Sequence, residues 1–338
     1  IPAICLGMAK QAWQPTLDHA NTRLTFQKPL STRQTQRMRL SRMAVNLFTM
    51  EALASSVWRM ADQHSYDVRI EAAIAKIFCS EKTIQFLKDA QIIFGGMGYE
   101  TADSKRVRGE PAFGIEQLVR DAEMYRIGEG ATDILRPFVA REGVSPHLDR
   151  AQRYMSGGLN RGERLVELLK LARMYVPWYV SLWWGRALPD RTEFHHTKVR
   201  QALSFVEQSS RRLACAIFWE MVRHGEQLRD DQGRQTRIET IGEDLLTIAT
   251  AALEASSLAR AQADDHVWDL VDHFVADATV RIDRAIRELR GHNGDGISAT
   301  IGKQAVEGNY AGLSHGIIRR GLHDYLPAAV GGHRHLAG

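Results

Sequence analysis

The sequence is poor in the features that mark secreted, metal-binding and membrane-spanning proteins. Among its 338 residues are only three cysteines, Cys5, Cys79 and Cys215, which lie far apart and form no CxxC pair. This spacing argues against a disulfide framework and against a zinc site, so we expect no bound metal. It has no run of about 18 apolar residues that would cross a bilayer, and no recognisable signal peptide. We therefore expect a protein of a reducing compartment that is not secreted.

A strong excess of charge of one sign is also lacking. The chain has 44 Lys and Arg against 40 Asp and Glu, a formal net charge of +4. Such a mild, dispersed charge is typical of a solvated surface, and no DNA- or RNA-binding motif accompanies it, so we expect no nucleic-acid partner. A nucleotide-containing anion such as coenzyme A would still suit this surface.

Period-two alternation, the pattern of strands, is nearly absent, whereas helical periodicity occurs almost everywhere. The fold is therefore predicted to be all-α, with two consecutive helical bundles. A segment rich in Gly, Pro, Ser and charge predicts the boundary between them. The predicted domains are a helical domain at 1–145, a linker at 146–162 and a second helical domain at 163–330. The predicted helices are 2–23, 37–63, 67–89, 163–186, 197–226, 236–264, 266–290 and roughly 300–325.

Glycine is concentrated in one informative stretch, residues 91–136. Gly95, Gly96 and Gly98 follow an apolar run, and glycine lets a backbone approach a ligand or another helix closely. We expect a close approach of this kind at the end of the preceding helix.

Farther along the same stretch, a single carboxylate stands between two glycines, in Gly128-Glu129-Gly130. Glycine on both sides lowers helix propensity and leaves an open backbone. Glu129 is therefore a candidate general base, and Thr132 or Asp133 can cap the helix that follows. Taken as an isolated signal, a glutamate in a glycine-rich turn is more often a cap or a solvated loop residue.

These segments resemble three linked motifs of the acyl-CoA dehydrogenase family, in the family's order. They read IIFGGMGY at 92–99, IEQLVRD at 115–121 and IGEGATDIL at 127–135. A fourth, upstream motif is similar to RLTFQKPL at 23–30. The resemblance covers about 1–145, and the second helical half resembles the extra C-terminal domain of the very-long-chain branch. Because the chain starts at Ile1 without the family's N-terminal and β domains, we interpret it as a fragment.

The resemblance implies FAD-dependent oxidation of long-chain fatty acyl-CoA to trans-2-enoyl-CoA in β-oxidation, with electrons leaving through an electron-transfer flavoprotein. Glu129 matches the base that removes the substrate α-proton, and Gly130 matches a substrate neighbour. Three positions match residues on the adenosine side of the flavin: Ala131, Thr132 and Asp133. Others would contact FAD across a homodimer interface: Arg23, Thr25, Gln34, Ile92, Gly95 and Gly96.

Departures from the family pattern leave two other functions open. Ile92, Gln27, Gly128 and Ala131 stand where the family has other residues, and an extra loop spans Glu100 to Phe113. One alternative is a non-catalytic helical scaffold, and the other is an acyl-CoA oxidase, which passes electrons to oxygen. The resemblance implies a bacterial cytoplasmic or mitochondrial matrix location.

Two further patterns have competing interpretations. The aromatic run MYVPWYVSLWW at 174–184 predicts core packing between helices, or peripheral membrane contact, since Trp and Tyr favour the bilayer interface. The membrane association of the resembled branch supports the second interpretation, but core packing is the main prediction, because aromatic-rich helices are usually part of a core. The pair His195-His196 has no further ligand at metal-binding spacing and predicts a solvated helix start.

Overall fold

The structure, a computed structural model, describes residues 1–64, 67–155, 158–183, 196–262, 265–291 and 293–316. These residues are almost entirely helical, which confirms the all-α prediction. The helices are α1 (Pro2–Thr22), α2 (Gln34–Asp62), α3 (Arg69–Phe94), α4 (Gly96–Tyr99), α5 (Ala102–Val107), α6 (Ile115–Ile127), α7 (Thr132–Met155), α8 (Arg161–Ser181), α9 (Thr197–His224), α10 (Gln232–Gln262), α11 (Val267–Leu289) and α12 (Asp295–Val306). Short 3-10 helices cover Leu30–Thr32, Gly225–Arg229 and Ala311–Ser314.

A small hairpin follows α1. Its strands β1 (Leu24–Thr25) and β2 (Lys28–Pro29) pair antiparallel, with Thr25 opposite Lys28. Phe26 and Gln27 form the turn between them, and both have positive φ, 49° and 63°. Strands of two residues are too short to show the period-two alternation that sequence patterns detect, so the hairpin was not predicted.

Helix α3 lies at the centre of the first bundle and packs against α1, α2, α6 and α7. Its large apolar side chains, including Phe78, Phe86 and Leu87, are fully buried. Burial of apolar surface on this scale is the main source of stability in such a bundle. The position of α3 matters for the predicted site residues, because they lie near its two ends.

Two clusters of buried apolar residues share the same long helices. The first combines α1, α2, α3 and α6 with the C-terminal half of α10 and the N-terminal half of α11, for example Ala252 and Trp268. The second combines α7, α9 and the other halves of α10 and α11, for example Leu148, Ile241 and Ile282. Helices predicted to belong to the second bundle therefore also complete the core of the first.

Helix α7 continues through Pro137 and Pro146 to Met155, into the first part of the segment predicted as a linker, 146–162. One face of α7 is buried, at Val139, Ala140, Val144 and Leu148. The helix is retained because packing of this face outweighs the backbone donor that proline lacks.

The described residues group into two compact units, Ile1–His292 and Asn293–Gly338. The second unit contains α12, whose end at Val306 is followed by Gly308 with φ of 83°. The domain boundary at 146–162 stays a prediction. The end of the predicted second domain, 317–330, lies outside the described residues.

The extra loop, Glu100 to Phe113, contains the short helix α5. Thr101 caps it, its side chain accepting a hydrogen bond from the Ser104 N–H at 3.3 Å. Lys105 is buried and donates to the Met97 carbonyl at 3.0 Å and to the Phe113 carbonyl. The Lys105 ammonium thus joins the middle of the loop to Phe113, at the end of the loop, and to Met97, in the segment that follows α3.

Candidate active site

The turn between α6 and α7 presents Glu129 in an unusual backbone conformation. Helix α6 ends at Ile127, and the Gly128 N–H donates to the Met124 carbonyl at 2.7 Å. Glu129 then has φ of 54° and Gly130 φ of 99°. Left-handed geometry is strained for a residue with a Cβ, and such strain is often found at functional sites. The turn therefore singles out Glu129 independently of its chemistry.

Gly130 cannot be replaced without disturbing this turn. A Cβ at Gly130 would lie 3.0 Å from Leu135 Cδ2 and 3.1 Å from its Cγ. Glycine here meets both a conformational and a steric requirement. By contrast, Gly128 is in extended conformation, with φ of −66° and ψ of 150°.

A lysine that the sequence patterns did not single out holds this turn in place. Lys76 on α3 is buried, and its ammonium donates to the Gly130 carbonyl at 2.6 Å and to the Arg126 carbonyl at 3.3 Å. Its only visible signal is a charged residue inside the apolar run AAIAKIF. Arg126 is further held to α3 by Glu81, at 3.0 Å.

Glu129 itself is exposed, and its backbone N–H donates to no carbonyl of the described residues. Glu129 therefore offers both an exposed carboxylate and an N–H that has no backbone acceptor among the described residues. This combination offers an incoming ligand both a proton acceptor and a hydrogen-bond donor.

The three positions predicted to contact the flavin's adenosine side form the start of α7. Thr132 is buried, and its hydroxyl has no hydrogen-bond partner among the described residues. Ala131 is half-buried, whereas Asp133 is exposed beside a cavity of about 520 Å³. That cavity is formed mainly by α10 and α11, and neither Glu129 nor Gly130 lines it.

A buried ionic cluster fixes α7 against α10 one turn after these residues. Arg136 pairs with Glu239, and its guanidinium lies 3.6 Å from Glu243. Burial, aided by the charge of Glu243, raises the pKa of Glu239 to about 8, although Arg136 opposes the shift. This cluster could not be predicted from local sequence patterns, because Arg136 and Glu239 are 103 residues apart.

The other predicted flavin contacts come together at the opposite end of α3. His19, one turn before Arg23, stacks on Phe94 with ring centroids 4.6 Å apart, so the end of α1 adjoins Gly95. Arg33, next to Gln34, donates to the Thr25 carbonyl at 2.5 Å. The residues gathered here are Arg23, Thr25, Gln34, Ile92, Gly95 and Gly96, of which only Thr25 is not exposed.

The glycines after α3 serve two different purposes. A Cβ on Gly98 would lie 2.4 Å from the Gln91 carbonyl oxygen, so this glycine permits a close approach within the chain itself. At Gly95 and Gly96 a Cβ would meet nothing within 4 Å. Gly95 also has φ of 61°. The backbone of Gly95 and Gly96 is thus open for contact with another molecule.

The structure separates the predicted site residues into two groups. Lys76, beside the Glu129 turn, and Gly95 are 19 positions apart on α3, or about 28 Å along its axis at 1.5 Å per residue. One group surrounds Glu129 and the other surrounds Gly95. Each chain therefore offers two separate sets of contacts.

The sequence comparisons identify the family of the chain. Residues 1–144 match the family model "Acyl-CoA dehydrogenase, C-terminal domain". The chain belongs to the acyl-CoA dehydrogenase family. The match includes both groups of predicted site residues.

Relatives in the acyl-CoA dehydrogenase family extend the similarity into the second half. The protein named "Probable acyl-CoA dehydrogenase FadE10" of Mycobacterium tuberculosis is 32% identical over 320 residues, covering 94% of this chain and 49% of its own length. The mitochondrial very long-chain specific acyl-CoA dehydrogenase of Homo sapiens is 26% identical, covering 90% of this chain and 44% of its own length. The chain thus spans about half the length of these curated relatives.

Solved acyl-CoA dehydrogenases share the fold. The enzyme of Bacillus anthracis, whose structure is a complex with FAD, superposes with a TM-score of 0.61 at 19% identity, over 88% of this chain and 49% of its own.

The described residues form neither a membrane-spanning helix nor a cluster of metal ligands. Within the described ranges, none of the helices combines the length and apolar character that crossing a bilayer requires. The same part of the chain brings together no three His, Cys, Asp or Glu side chains that could hold a metal ion. His196 instead caps α9 and stacks on Trp268 at 4.4 Å, while His195 lies outside the described residues.

Proposed function

We propose that this chain provides the catalytic base for FAD-dependent α,β-dehydrogenation of long-chain fatty acyl-CoA to trans-2-enoyl-CoA. The observation that carries the proposal is the exposed Glu129 in a left-handed turn, anchored by Lys76 and followed by the unpartnered Thr132 hydroxyl. The relatives that are named acyl-CoA dehydrogenases support the reaction class.

In this reaction Glu129 accepts the proton from the substrate α-carbon. Its own backbone N–H, which has no backbone acceptor among the described residues, is suited to donate to the thioester carbonyl. A donor at that oxygen stabilises the negative charge that develops as the proton leaves, and so lowers the barrier. Gly130, which directly follows the base, lets the turn pass close to Leu135 and would be a neighbour of the substrate.

The residues present fit FAD in two places. Near Glu129, the buried Thr132 hydroxyl lacks a partner, and Ala131 and Asp133 adjoin it. At the far end of α3, the open backbone of Gly95 and Gly96 allows close approach, as expected for contact with a cofactor. FAD bound there would supply the redox chemistry, as the acceptor of the hydride from the substrate β-carbon.

A homodimer would explain why one chain carries both sets. Because the sets are separated by the length of α3, the group with Glu129 would serve one flavin. Arg23, Thr25, Gln34 and the Ile92–Gly96 segment would serve the flavin of a second copy. Arginine is suited to the pyrophosphate of such a cofactor, since its guanidinium pairs with two oxygens at once.

The proposed partners follow from the same function. Electrons would pass to an electron-transfer flavoprotein, and the other domains that hold the flavin would correspond to the half of the relatives that this chain does not span. We place the protein in the bacterial cytoplasm or the mitochondrial matrix, as the mitochondrial relatives favour.

Helix α8 supports a peripheral membrane contact. Its exposed apolar side chains form a stripe at helical spacing: Leu165, Leu169, Val176, Val180 and, just beyond the helix, Trp183. Basic residues on the same helix, such as Arg164 and Arg173, would attract anionic headgroups. Trp178 and Tyr179 pack instead on Phe218, so part of the aromatic run is internal, while Trp184 lies outside the described residues.

The test is to express the full-length protein, purify it and follow its flavin absorbance while palmitoyl-CoA is added. Wild type should carry FAD and bleach. Glu129→Gln should carry FAD but fail to bleach, because the amide cannot take the proton. Glu116→Gln, a control on the preceding helix, should bleach like wild type.

Two outcomes would favour the alternatives. A protein without flavin, or a Glu129→Gln variant that bleaches as fast as wild type, would support the non-catalytic scaffold. Oxygen consumption at the rate of substrate oxidation, without an added flavoprotein acceptor, would support the acyl-CoA oxidase.

A further inference from the structure

Lys76 is an unusual residue for the centre of a helical bundle. It lies in the second turn of α3, is 7% exposed and is flanked in the sequence by the buried Ala75, Ile77 and Phe78. Burial lowers the pKa of Lys76, whereas the charges of nearby Cys5, Glu81 and Glu129 act in the opposite direction. A buried amine is costly unless its donors are used, and a purely structural site would be filled better by an apolar side chain.

The Lys76 ammonium donates its hydrogen bonds to a single turn, the one between α6 and α7. The two carbonyls that it contacts, those of Arg126 and Gly130, enclose Glu129 in the sequence. At 2.6 Å the bond to Gly130 is the shorter, and it acts directly after the residue with positive φ. Removing the ammonium would leave both carbonyls without this donor.

A strained backbone persists only where its surroundings determine it. Glu129 has no side-chain hydrogen bond or ion pair among those recorded for the described residues, and its N–H is free, so its own contacts do not hold φ at 54°. Among the described residues, two side chains of α3 hold this turn: Glu81, which pairs with Arg126, and Lys76. Backbone bonds add the Gly128 N–H to the Met124 carbonyl before Glu129, and the Ile134 and Leu135 N–H groups to the Ala131 carbonyl after it. Of the two side chains, only Lys76 acts on the C-terminal side of Glu129.

We infer that Lys76 is a positioning residue for Glu129: its ammonium holds the carbonyls on both sides of the base and so keeps the carboxylate aimed at the substrate α-carbon. This inference rests on the proposed function. Lys76 does not touch the substrate, so its loss should affect the rate of proton abstraction more than substrate binding.

The test compares Lys76→Met with wild type in the full-length, FAD-loaded protein. Methionine has similar length and fills the site without donors. We expect kcat to fall roughly 100-fold, the loss associated with a displacement of about 1 Å, while KM changes less than about threefold. Hydrogen exchange at 128–132 is read at the Gly128 amide, whose N–H is bonded to the Met124 carbonyl. It should rise at least about tenfold, with exchange in the core of α3 unchanged.

Two variants make the result specific. Lys88→Met is the matched control: Lys88 is on the same helix and pairs with Glu123 on α6 at 3.0 Å, but on the surface. It should leave kcat and exchange at 128–132 as in wild type. Lys76→Arg keeps the charge and several donors, so it should recover a substantial part of the lost kcat. If Lys76→Met does not fold, Lys76→Gln replaces it. We then expect changes in kcat and hydrogen exchange in the same direction, but smaller.

Different results would contradict the positioning role of Lys76 and the proposed role of Glu129. If Glu129→Gln remains active, the base is misassigned, yet exchange at 128–132 still reports whether Lys76 holds the turn. If Glu129→Gln is inactive but Lys76→Met retains kcat within twofold and the turn exchanges as in wild type, the positioning role is wrong. A parallel loss of kcat in Lys76→Met and Lys76→Arg, with faster exchange throughout α3, would also overturn it, because that pattern marks general destabilisation.

Discussion

Helices α3 and α8 are similar in length and rich in large apolar residues, but their surroundings differ completely. Fifteen residues of α3 are buried, because the helix is enclosed by α1, α2, α6 and α7. None of the residues of α8, all of them described, is buried, and its main neighbour is α7. The comparison teaches that apolar content makes burial favourable, while the number of helices packed around a segment decides whether it happens.

The largest effect on stability is expected in α3. Phe78 is fully buried and meets Phe274 edge to face, with centroids 6.0 Å apart. Phe78→Ala should lower the free energy of unfolding by about 3–5 kcal/mol, through lost burial and the cavity left behind. Chemical denaturation measures this change. A loss below about 1 kcal/mol would show that α3 is not the centre of a packed core.

The ionic cluster on α10 should make stability depend on pH. Since the pKa of Glu239 is raised to about 8, its contribution is fully present below the unfolded-state value and is lost as pH rises through 8. Between pH 5 and 8 the free energy of unfolding should therefore fall, by at most about 1.4 kcal/mol per pH unit. Glu239→Gln should flatten this dependence in denaturation curves recorded at several pH values. An unchanged slope would mean that Glu239 is ionised in the folded protein.

The smallest effect on stability is expected in α8. The double change Leu165→Gln and Leu169→Gln replaces two exposed side chains, so the free energy of unfolding should change by no more than about 0.5 kcal/mol. The same variant should lose flotation with phosphatidylglycerol-containing vesicles if α8 contacts a membrane. Val280→Gln, at an exposed apolar position on α11, serves as the control and should float like wild type. Equal flotation of all three proteins would contradict the membrane contact.

Most of the long helices could be predicted from periodicity alone. The prediction at 197–226 corresponds to α9, and that at 266–290 to α11, each within two residues. The segment predicted as a linker, 146–162, is helical as far as Met155, because local composition reports the proline but not the packed face at Val144 and Leu148. The predicted helix at about 300–325 is shorter in the structure, where α12 ends at Val306.

Some features of the candidate site could likewise be predicted from the sequence, and others could not. The Gly128-Glu129-Gly130 segment is visible in the sequence because its signal is local. Lys76 and the Arg136–Glu239 pair were missed, since their partners are 50 or more positions away along the chain. A charged residue within an apolar run is the one sequence signal that could have drawn attention to Lys76.

The sequence by itself determined that this chain is helical, where most helices begin and end, and which carboxylate stands in the glycine-rich turn, because each depends on neighbours within a few residues. Only the tertiary structure decided that Lys76 anchors that turn, that the predicted cofactor contacts divide between the two ends of α3, and that α8 remains exposed. These features depend on which distant segments pack together, and that follows from the burial of whole helix faces rather than from any local pattern.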